Sequence, residues 1–380
     1  MSRPRARRPR VRAARGDSMV GRRFEVEVGP VAHGGHCVAR VEERVVFVRH
    51  ALPGERVVLE ITEGTEGDRF WRGDAVEVLT PSPDRVPAPC PYAGPGRCGG
   101  CDLQHVALPA QRELKARVVR EQLLRVARIE VDVVVEAVPG DEEGLHWRTR
   151  QRYVALPGGA RGMRKHRSHD VVAVDACLLE APDGPSYDVR GHAFEVTTAP
   201  GEGASFWQVH PGAPEVLVDA VLDALGPRPG ESALDLYAGV GLFSRFLAEA
   251  VGPTGSVAAV EGDRTASALS ERNCPGVLAC GGDVGAVLAD GLPDAWARAD
   301  LVVLDPPRTG AKRAVVEQVV AREPRAVAYV ACDPSALARD VAIFAEHGYR
   351  LASLRAFDLF PMTHHVECVA LLTRTGPDLG

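Results

Sequence analysis

The stretch Ala233-Leu234-Asp235-Leu236-Tyr237-Ala238-Gly239-Val240-Gly241 decides the fold of this chain. Its first half is mainly apolar, as in a strand that is buried on both faces, and its glycines allow a tight turn before a helix. A ligand that resembles a nucleotide binds at such a turn, at the carboxyl edge of a parallel sheet. The turn lacks the third glycine of the dinucleotide fingerprint and a lysine suited to a triphosphate, which argues against NAD and ATP.

The same order of apolar strand, glycine-containing turn and helix repeats after this stretch. Further apolar runs occupy 257–261, 301–305 and 327–330. Strands that are covered by helices on both faces have this composition. The fold class predicted for residues 201–380 is therefore a doubly wound, Rossmann-like α/β domain with a parallel sheet.

Acidic residues follow several of the predicted strands. Glu261 ends the second strand, where a carboxylate can accept hydrogen bonds from ribose hydroxyls. Asp283 follows a third, short strand and is expected near an adenine ring. Asp305 ends the next strand and is expected to orient a base or the cofactor. Each acid alone can also cap a helix, but their placement at successive strand ends favours a ligand site.

The first eighty residues predict a different kind of structure. Residues 19–80 alternate apolar and polar side chains in short runs, which predicts a small, OB-like antiparallel barrel, a common platform for oligonucleotides. Residues 1–18 carry seven arginines and one acid, without the apolar segment of a secretory signal. They predict a disordered basic tail. Whether this tail contacts nucleic acid or only precedes a start at Met19 stays open.

Residues 81–200 are expected to form a central α+β domain. Apolar residues at helical spacing predict an amphipathic helix over 111–129, with Lys115 among its polar positions and with arginines that form a solvated face or contact phosphate. The segment Trp147–Arg167 interleaves arginines with apolar residues and is the preferred RNA-contacting surface, although such runs are also common on charged strand faces.

Cysteines divide into two groups by their surroundings. Cys332 follows an apolar strand and precedes a proline, a position that suits a nucleophilic thiol. Four other cysteines lie in the central region with a close C-x-x-C pair, a spacing that allows either zinc or an iron–sulfur cluster. These candidate ligands are Cys90, Cys98, Cys101 and Cys177.

The composition limits the class of protein. A chain of 380 residues predicts two or three domains, and its apolar content of 45% is typical of globular proteins. No apolar run is long enough to cross a bilayer, and cysteines without an export signal indicate a cytoplasmic protein without disulfides. A net charge of -6 argues against a uniformly basic RNA-binding protein, but not against local basic surfaces.

Together these features resemble the S-adenosylmethionine-dependent RNA (uracil-5-)-methyltransferases, which make 5-methyluridine in ribosomal and transfer RNA. The resemblance runs from about residue 20 to residue 372. The motifs that carry it, in order after a TRAM-like barrel, are Cys90-Pro91 with Cys98-Gly99-Gly100-Cys101, Phe206-Trp207-Gln208-Val209, the glycine turn, Asp305-Pro306-Pro307-Arg308, Cys332-Asp333-Pro334, and Phe360-Pro361 with His365-Val366-Glu367.

The resemblance implies a role for each site residue. Cys332 would add to C6 of the uracil, and Glu367 would act as the general base that removes the C5 proton. The residues implied to contact S-adenosylmethionine are Gln208, Tyr237, Glu261 and Asp305, to which the strand-end position adds Asp283. The resemblance also favours a 4Fe-4S cluster over zinc on the four cysteines. It favours a uridine in a single-stranded loop of 23S rRNA as the target, and a monomeric enzyme is expected.

The chain departs from the family pattern beside the nucleophile. Asp333 stands where an asparagine commonly follows the cysteine, and His210 stands where asparagine is usual after Gln208-Val209. The negative charge of Asp333 opposes ionisation of the neighbouring thiol. Activation of the thiolate is therefore the step that this departure affects most.

Other functions remain open at this point. A noncatalytic RNA-binding scaffold with a zinc site would bind RNA without turnover. A methyltransferase that acts on a protein or a small molecule would share the Asp-Pro-Pro-Arg motif but would not need the thiol. The same uridine chemistry on transfer RNA is a further alternative.

Overall fold

The computed structural model describes residues 16–141, 143–197 and 205–375. Its strands and helices up to residue 193 are β1 (Arg23–Glu27), β2 (Val31–Ala32), β3 (His36–Val41), β4 (Arg44–Arg49), β5 (Arg56–Glu63), β6 (Phe70–Thr80), α1 (Leu108–Gln122), β7 (Val135–Glu136), β8 (Val154–Ala155), β9 (Arg161–Arg164), β10 (Val171–Ala173), β11 (Asp188–Val189) and β12 (His192–Ala193). A π-helical turn, Leu123–Ala127, extends α1.

The remaining elements alternate helix and strand over most of their length. They are α2 (Ala213–Leu225), β13 (Ser232–Leu236), α3 (Leu242–Val251), β14 (Ser256–Glu261), α4 (Arg264–Asn273), β15 (Leu278–Gly281), α5 (Val284–Ala286), β16 (Leu301–Leu304), α6 (Lys312–Val320), β17 (Ala326–Ala331), α7 (Pro334–Glu346), β18 (Tyr349–Phe357) and β19 (Glu367–Arg374).

The apolar runs of the sequence form the centre of an eight-stranded sheet, in the order β15-β14-β13-β16-β17-β19-β18-β7. The five strands from β15 to β17 are parallel to one another. Two apolar clusters, each made of side chains from the strands and from the helices that cover them, lie on the two faces of the sheet. The predicted Rossmann-like α/β fold is confirmed.

The strand β19 reverses the direction of the sheet, which the prediction of a parallel sheet did not include. It pairs antiparallel with β17 on one side and with β18 on the other. Strands that are buried on both faces have the same apolar composition in parallel and antiparallel sheets, so composition does not reveal the reversal. Because β19 runs in the opposite direction, its first residues lie at the edge where the parallel strands end.

The six strands of the N-terminal region form a separate sheet in the order β1-β5-β6-β4-β3-β2. Two further hydrogen bonds join the segment after β1 to β3, from Gly29 N–H to the Val38 carbonyl at 2.7 Å and from Val38 N–H to the Pro30 carbonyl at 2.9 Å. The sheet thereby curls back on itself. Residues 1–15 of the predicted tail lie outside the described residues, and Ser18 forms a β-bridge with Thr65.

The helix α1 joins the two sheets. Leu114 and Val118 pack in the core of the N-terminal sheet, whereas Ala116 and Val119 pack against the eight-stranded sheet. The short strand β7 adds to the edge of the larger sheet by pairing in parallel with β18. Parts of the region between residues 81 and 200 thus complete the core of the C-terminal fold.

Candidate active site

The turn after β13 forms one wall of a cavity at the carboxyl edge of the sheet. Tyr237 adopts a left-handed φ of 65° and donates its N–H to the Val260 carbonyl at 2.9 Å. Glu261 holds the turn from the neighbouring strand, because its Oε2 accepts the Gly239 N–H at 2.8 Å. The residues that line the cavity are Phe206, Trp207, Gln208, Tyr237, Ala238, Gly239, Val240, Leu242, Phe243 and Asp305. Three of the predicted cofactor residues thus face one space, and a fourth fixes its wall.

Asp283 begins the short helix α5. Its Oδ1 accepts the Ala286 N–H at 3.0 Å, so it acts as the helix cap that the sequence left open as an alternative. It also lies near the cofactor turn, since burial and then the charges of Asp283 and Asp340 raise the pKa of Tyr237 to about 12. The contact of Asp283 with an adenine ring stays a prediction.

Carboxylates crowd the edge of this cavity. Burial, followed by repulsion from Asp235 and Glu261, raises the pKa of Asp305 to about 7. Burial likewise raises the pKa of Asp235 to about 6, although the Ser244 hydroxyl donates to its Oδ2 at 2.6 Å. Neighbouring carboxylates that resist ionisation favour a cationic ligand. The sulfonium group of S-adenosylmethionine carries the charge that this cavity favours.

A second cavity, of about 220 Å³, lies in front of the predicted nucleophile. Cys332 directly follows β17, and Glu367 is the first residue of β19. Because Ala331 pairs with Cys368 in the antiparallel register, Cys332 and Glu367 stand opposite each other at the next position. The residues that line the cavity are Val31, His33, Gly34, Gly35, Leu103, Leu114, Lys115, Val118, Arg308, Cys332, Asp333, Pro334, His364, His365 and Val366.

The environment of this pair favours the neutral form of both groups. Burial, followed by the charge of Glu367, raises the pKa of the Cys332 thiol to about 12. Burial and then Asp305 raise the pKa of Glu367 well above its ordinary value. Arg308 opposes both shifts, and its guanidinium lies 3.3 Å from Nε2 of His365. Arg308 is thus a cation placed to favour the thiolate and the carboxylate.

Glu367 is not paired with Arg355 or His364, the basic side chains near it in the sequence. Arg355 Nη2 lies 2.8 Å from Oε2 of Glu136, and His364 Nδ1 lies 2.6 Å from Oδ2 of Asp102. Each of these basic side chains is therefore paired with another acid. This arrangement leaves Glu367 facing Cys332.

Two buried contacts that support the site were not predicted. Asp340 accepts hydrogen bonds from the Tyr329 hydroxyl at 2.6 Å and the Ala311 N–H at 2.8 Å, and so holds the loop that follows Asp305. Lys115 is buried and donates to Oδ1 of Asp358 at 2.5 Å, at the start of the loop that leads to Glu367.

Lys115, which the helical pattern sets among the polar positions of the amphipathic helix, is buried. Leu114 and Val118, on either side of it in the sequence, pack in the core of the N-terminal sheet. The Lys115 ammonium reaches Asp358, which directly follows β18 of the larger sheet. A lysine between two apolar residues of a helix, together with an acid at the end of an apolar strand, was the available signal for a buried pair.

The four candidate metal ligands line one small cavity. Cys90, Cys98, Cys101 and Cys177 surround it, and the sulfurs of Cys98, Cys101 and Cys177 also receive protein donors. Gln104 Nε2 lies 3.2 Å from the Cys101 sulfur, and burial raises the pKa of that thiol to about 12. Within the described ranges, no group of three or more His, Cys, Asp or Glu side chains is positioned to hold a single metal ion.

The basic segment Trp147–Arg167 divides into an inward and an outward part. Arg148 stacks over the Trp147 ring at 4.9 Å, and Arg150 donates to the Ser205 carbonyl at 3.2 Å. Lys165 and Arg167 instead line a cavity of about 400 Å³ between this segment and the N-terminal sheet. The other charged residues of its lining are Arg49, Glu63, Arg72, Asp74, Arg97 and Asp170.

Sequence comparisons match both ends of the chain. Residues 17–76 match the TRAM domain, and residues 294–375 match the family described as tRNA (Uracil-5-)-methyltransferase. An RNA methyltransferase of Streptomyces avermitilis is 43% identical, with 93% of this chain and 98% of that protein covered. A 23S rRNA (uracil(1939)-C(5))-methyltransferase of Chromohalobacter salexigens is 32% identical, with 98% and 94% covered.

The fold also matches a solved structure over most of its length. The crystal structure of Pyrococcus abyssi tRNA (uracil-54, C5)-methyltransferase with S-adenosyl-L-homocysteine gives a TM-score of 0.62 at 21% identity. The alignment covers 91% of this chain and 99% of that chain. Among the described residues, no helix combines the length and apolar character needed to span a bilayer.

Proposed function

Because the chain belongs to the family of RNA uracil-C5 methyltransferases, we propose that Cys332 and Glu367 are the nucleophile and the general base with which it methylates a uridine. The family transfers a methyl group from S-adenosylmethionine to C5 of uridine in RNA. The observation that carries this assignment is the strand register that sets Cys332 opposite Glu367, next to a cavity lined by Asp305.

The proposed chemistry uses a covalent bond to activate the pyrimidine. The Cys332 thiolate adds to C6 of the uracil, and the electron pair of the C5–C6 double bond moves toward O4, where Arg308 can stabilise the charge. C5 then accepts the methyl group that S-adenosylmethionine supplies. Glu367 removes the proton from C5, the double bond re-forms, and the sulfur leaves C6.

The cofactor is proposed to lie across the turn after β13. Gln208 and Tyr237 line the cavity, and Glu261, at the end of β14, is proposed to accept hydrogen bonds from the ribose. Asp305 lies between this cavity and Glu367, since its charge acts on that residue. Asp305 is therefore proposed to complement the sulfonium group and to orient the base.

We propose a uridine in a single-stranded loop of 23S rRNA as the target. Two relatives, from Chromohalobacter salexigens and Alkalilimnicola ehrlichii, are named as 23S rRNA uracil-C5 methyltransferases. Both align with this chain over more than nine-tenths of their length. A base in a loop leaves its stack at a lower free-energy cost than a base in a helix.

The proposed RNA surface is the cavity between the basic segment and the N-terminal sheet. Arg72 and Phe47 both line it, with the Arg72 guanidinium 6.0 Å from the centre of the Phe47 ring, so this wall offers both a cation and an aromatic side chain. Such pairs bind the phosphate and the base of single strands. Replacing Arg72 by Ala should weaken RNA binding and reduce its salt dependence by about one unit of slope. An unchanged slope would exclude this surface.

A 4Fe-4S cluster is proposed for the four cysteines. Support comes from the four thiols that line one cavity and from a spacing that suits either zinc or an iron–sulfur cluster. Cys98→Ser should abolish iron content and visible absorption, and Cys280→Ser, at a half-buried thiol away from this cavity, should not. Zinc without iron in the wild type would reject the cluster.

The function is tested with unmodified transcripts of 23S rRNA and transfer RNA. Incubation with methyl-labelled S-adenosylmethionine, followed by nucleoside analysis, should give labelled 5-methyluridine in 23S rRNA. Cys332→Ala should give none, whereas Cys280→Ala should keep activity. A different labelled nucleoside would reject the chemistry, and label confined to transfer RNA would move the substrate to the alternative. The OB-like class of the barrel, the monomeric state and the cytoplasmic location stay predictions.

A further inference from the structure

The turn between β2 and β3 reaches from the N-terminal sheet into the wall of the reaction cavity. His33, Gly34 and Gly35 all line that cavity. Gly35 has a φ of 75°, and a Cβ atom built on it would lie 2.5 Å from the Cβ of His364. The backbone of the turn therefore approaches the loop before Glu367 as closely as a residue without a side chain allows.

Within this turn, His33 contacts the residue beside the nucleophile. Its Nε2 lies 3.2 Å from Oδ2 of Asp333, and the His33 side chain is 40% exposed. The other carboxylate oxygen of Asp333, Oδ1, accepts the N–H groups of Ser335 at 3.0 Å and Ala336 at 2.9 Å and caps α7. Asp333 thus has one oxygen fixed by the helix and the other facing the N-terminal sheet.

The charge of Asp333 bears directly on the thiol. The charged groups that act on Cys332 are Glu367, Arg308, Asp305 and Asp333, of which only Arg308 is cationic. The charged groups that act on His33 are Asp333 and Glu121, both of which favour its protonated form. A protonated His33 therefore places a second positive charge near an otherwise acidic centre.

We propose that His33 is a positioning residue of the reaction, which neutralises Asp333 from the N-terminal sheet and so favours the thiolate of Cys332. This role rests on the proposed function of Cys332. The hydrogen bond to Asp333 raises the pKa of His33 and lowers the pKa of Asp333, as expected for an ion pair. Since Asp333 without a partner would oppose ionisation of the thiol, the pair offsets the departure from asparagine at this position.

The test measures alkylation of Cys332 by iodoacetamide in the full-length protein without RNA or cofactor. Trypsin releases residues 326–339 as a peptide in which Cys332 is the single cysteine, so its alkylation can be followed by mass spectrometry. His33→Gln should slow the reaction by about threefold to tenfold, because one pKa unit changes the thiolate fraction about tenfold. His33→Lys, which retains a cation, should restore the rate.

A double-mutant cycle separates this role from a general effect on the fold. In the Asp333→Asn background, His33→Gln should change the alkylation rate little, because the charge to be neutralised is gone. As the pH rises through the pKa of His33, the wild type should approach His33→Gln, whereas His33→Lys should not.

Three results would overturn the proposal. These are alkylation of His33→Gln at the wild-type rate, an equal slowing in the Asp333→Asn background, and a raised KM for RNA with unchanged alkylation, which would make His33 an RNA contact. The alkylation rates use neither RNA nor methyl transfer, so they stand even when the proposed methylation fails its own test.

Discussion

Cys332 and Glu367 meet in surroundings that keep both of them neutral in the free protein. Burial raises both pKa values, repulsion from Glu367 adds to the shift of Cys332 and repulsion from Asp305 to that of Glu367, and Arg308 is the cation that lowers both. A thiol in this state is protected from oxidation, because the thiolate is the reactive form. Ionisation therefore depends on the few cations that reach the site.

Replacement of Glu367 by Gln is predicted to trap the covalent intermediate. Methyl transfer leaves a proton at C5, and without a base the sulfur cannot leave C6, so turnover should fall by about 100-fold to 10,000-fold. A protein–RNA adduct should accumulate and be visible on a denaturing gel. The double variant Cys332→Ala/Glu367→Gln is the control and should show no adduct. Normal turnover of Glu367→Gln would contradict its role.

The raised pKa of Asp235 leads to a prediction of how the stability of the cofactor-free protein depends on pH. Burial raises the pKa of Asp235 from its ordinary value of 3.8 to about 6, so the folded state retains a proton that the unfolded state has lost between these values. The stability that this retained proton contributes is fully present below pH 3.8 and is lost as the pH rises to about 6.

Asp235→Asn removes this titration, so its unfolding free energy relative to the wild type should increase over the same interval, by about 1.4 kcal/mol per pKa unit. Thermal or urea unfolding of both proteins between pH 4 and pH 7 measures this difference in unfolding free energy. Parallel curves would contradict the raised pKa.

The sequence predicted Cys332 and Glu367 as the catalytic pair but gave no sign of the residue that contacts Asp333, beside Cys332, from another element. Cys332 and Glu367 stood in motifs, and the acids stood at strand ends where parallel strands bring side chains together. His33 stands in a glycine turn of another sheet, 300 residues before Asp333. Local patterns cannot show such a contact, because it depends on how the two sheets pack.

At the scale of the elements, the candidate active site depends on the direction of β19. A strand parallel to β17 would bring its last residue to the catalytic edge, whereas the antiparallel β19 brings its first residue there. The reversal also places the loop between β18 and β19 over the reaction cavity. The parallel strands were predictable from their apolar runs and following glycines, but the pairing direction was not.

Gly35 is predicted to be needed for the contact between the two sheets. Gly35→Ala places a methyl group against His364 and strains a backbone with a φ of 75°. Gly54→Ala is the matched control, since its φ is 82° and nothing lies within 4 Å of the added Cβ. Both should lose about 1 kcal/mol of stability from strain, and only Gly35→Ala should also lose methylation activity. Equal activity of the two variants would argue against the contact.

At the scale of the whole molecule, α1 connects the N-terminal sheet to the catalytic sheet. Its apolar residues pack in both cores, and Lys115 between them is paired with Asp358 inside the protein. The domain limits expected from composition place this helix in a central domain. Its packing shows why composition alone does not define such limits, since one helix serves two cores.

Lys115→Met is predicted to destabilise the protein strongly. It removes the ammonium partner of the buried Asp358 carboxylate, which keeps Arg112 Nε at 3.6 Å, so the cost should lie at the lower end of about 3–5 kcal/mol. Lys165→Met breaks a more exposed pair with Asp170, at 3.8 Å, and should cost about 0–1 kcal/mol. Differential scanning calorimetry of the two variants compares them. A similarly small loss of stability in both variants would show that the buried Asp358 carboxylate tolerates the removal of its ammonium partner.

The pairing of β7 with β18 has a consequence for synthesis on the ribosome. Val135 and Glu136 leave the exit tunnel long before their neighbours Ala356 and Phe357 are translated. Until then the nascent chain exposes the apolar side of α1 that belongs against the larger sheet. When a core is completed late, hydrophobic surface stays exposed, and the chain can aggregate or bind chaperones. A vector that encodes the N-terminal half by itself should therefore yield insoluble product, and co-expression with the C-terminal half should rescue it.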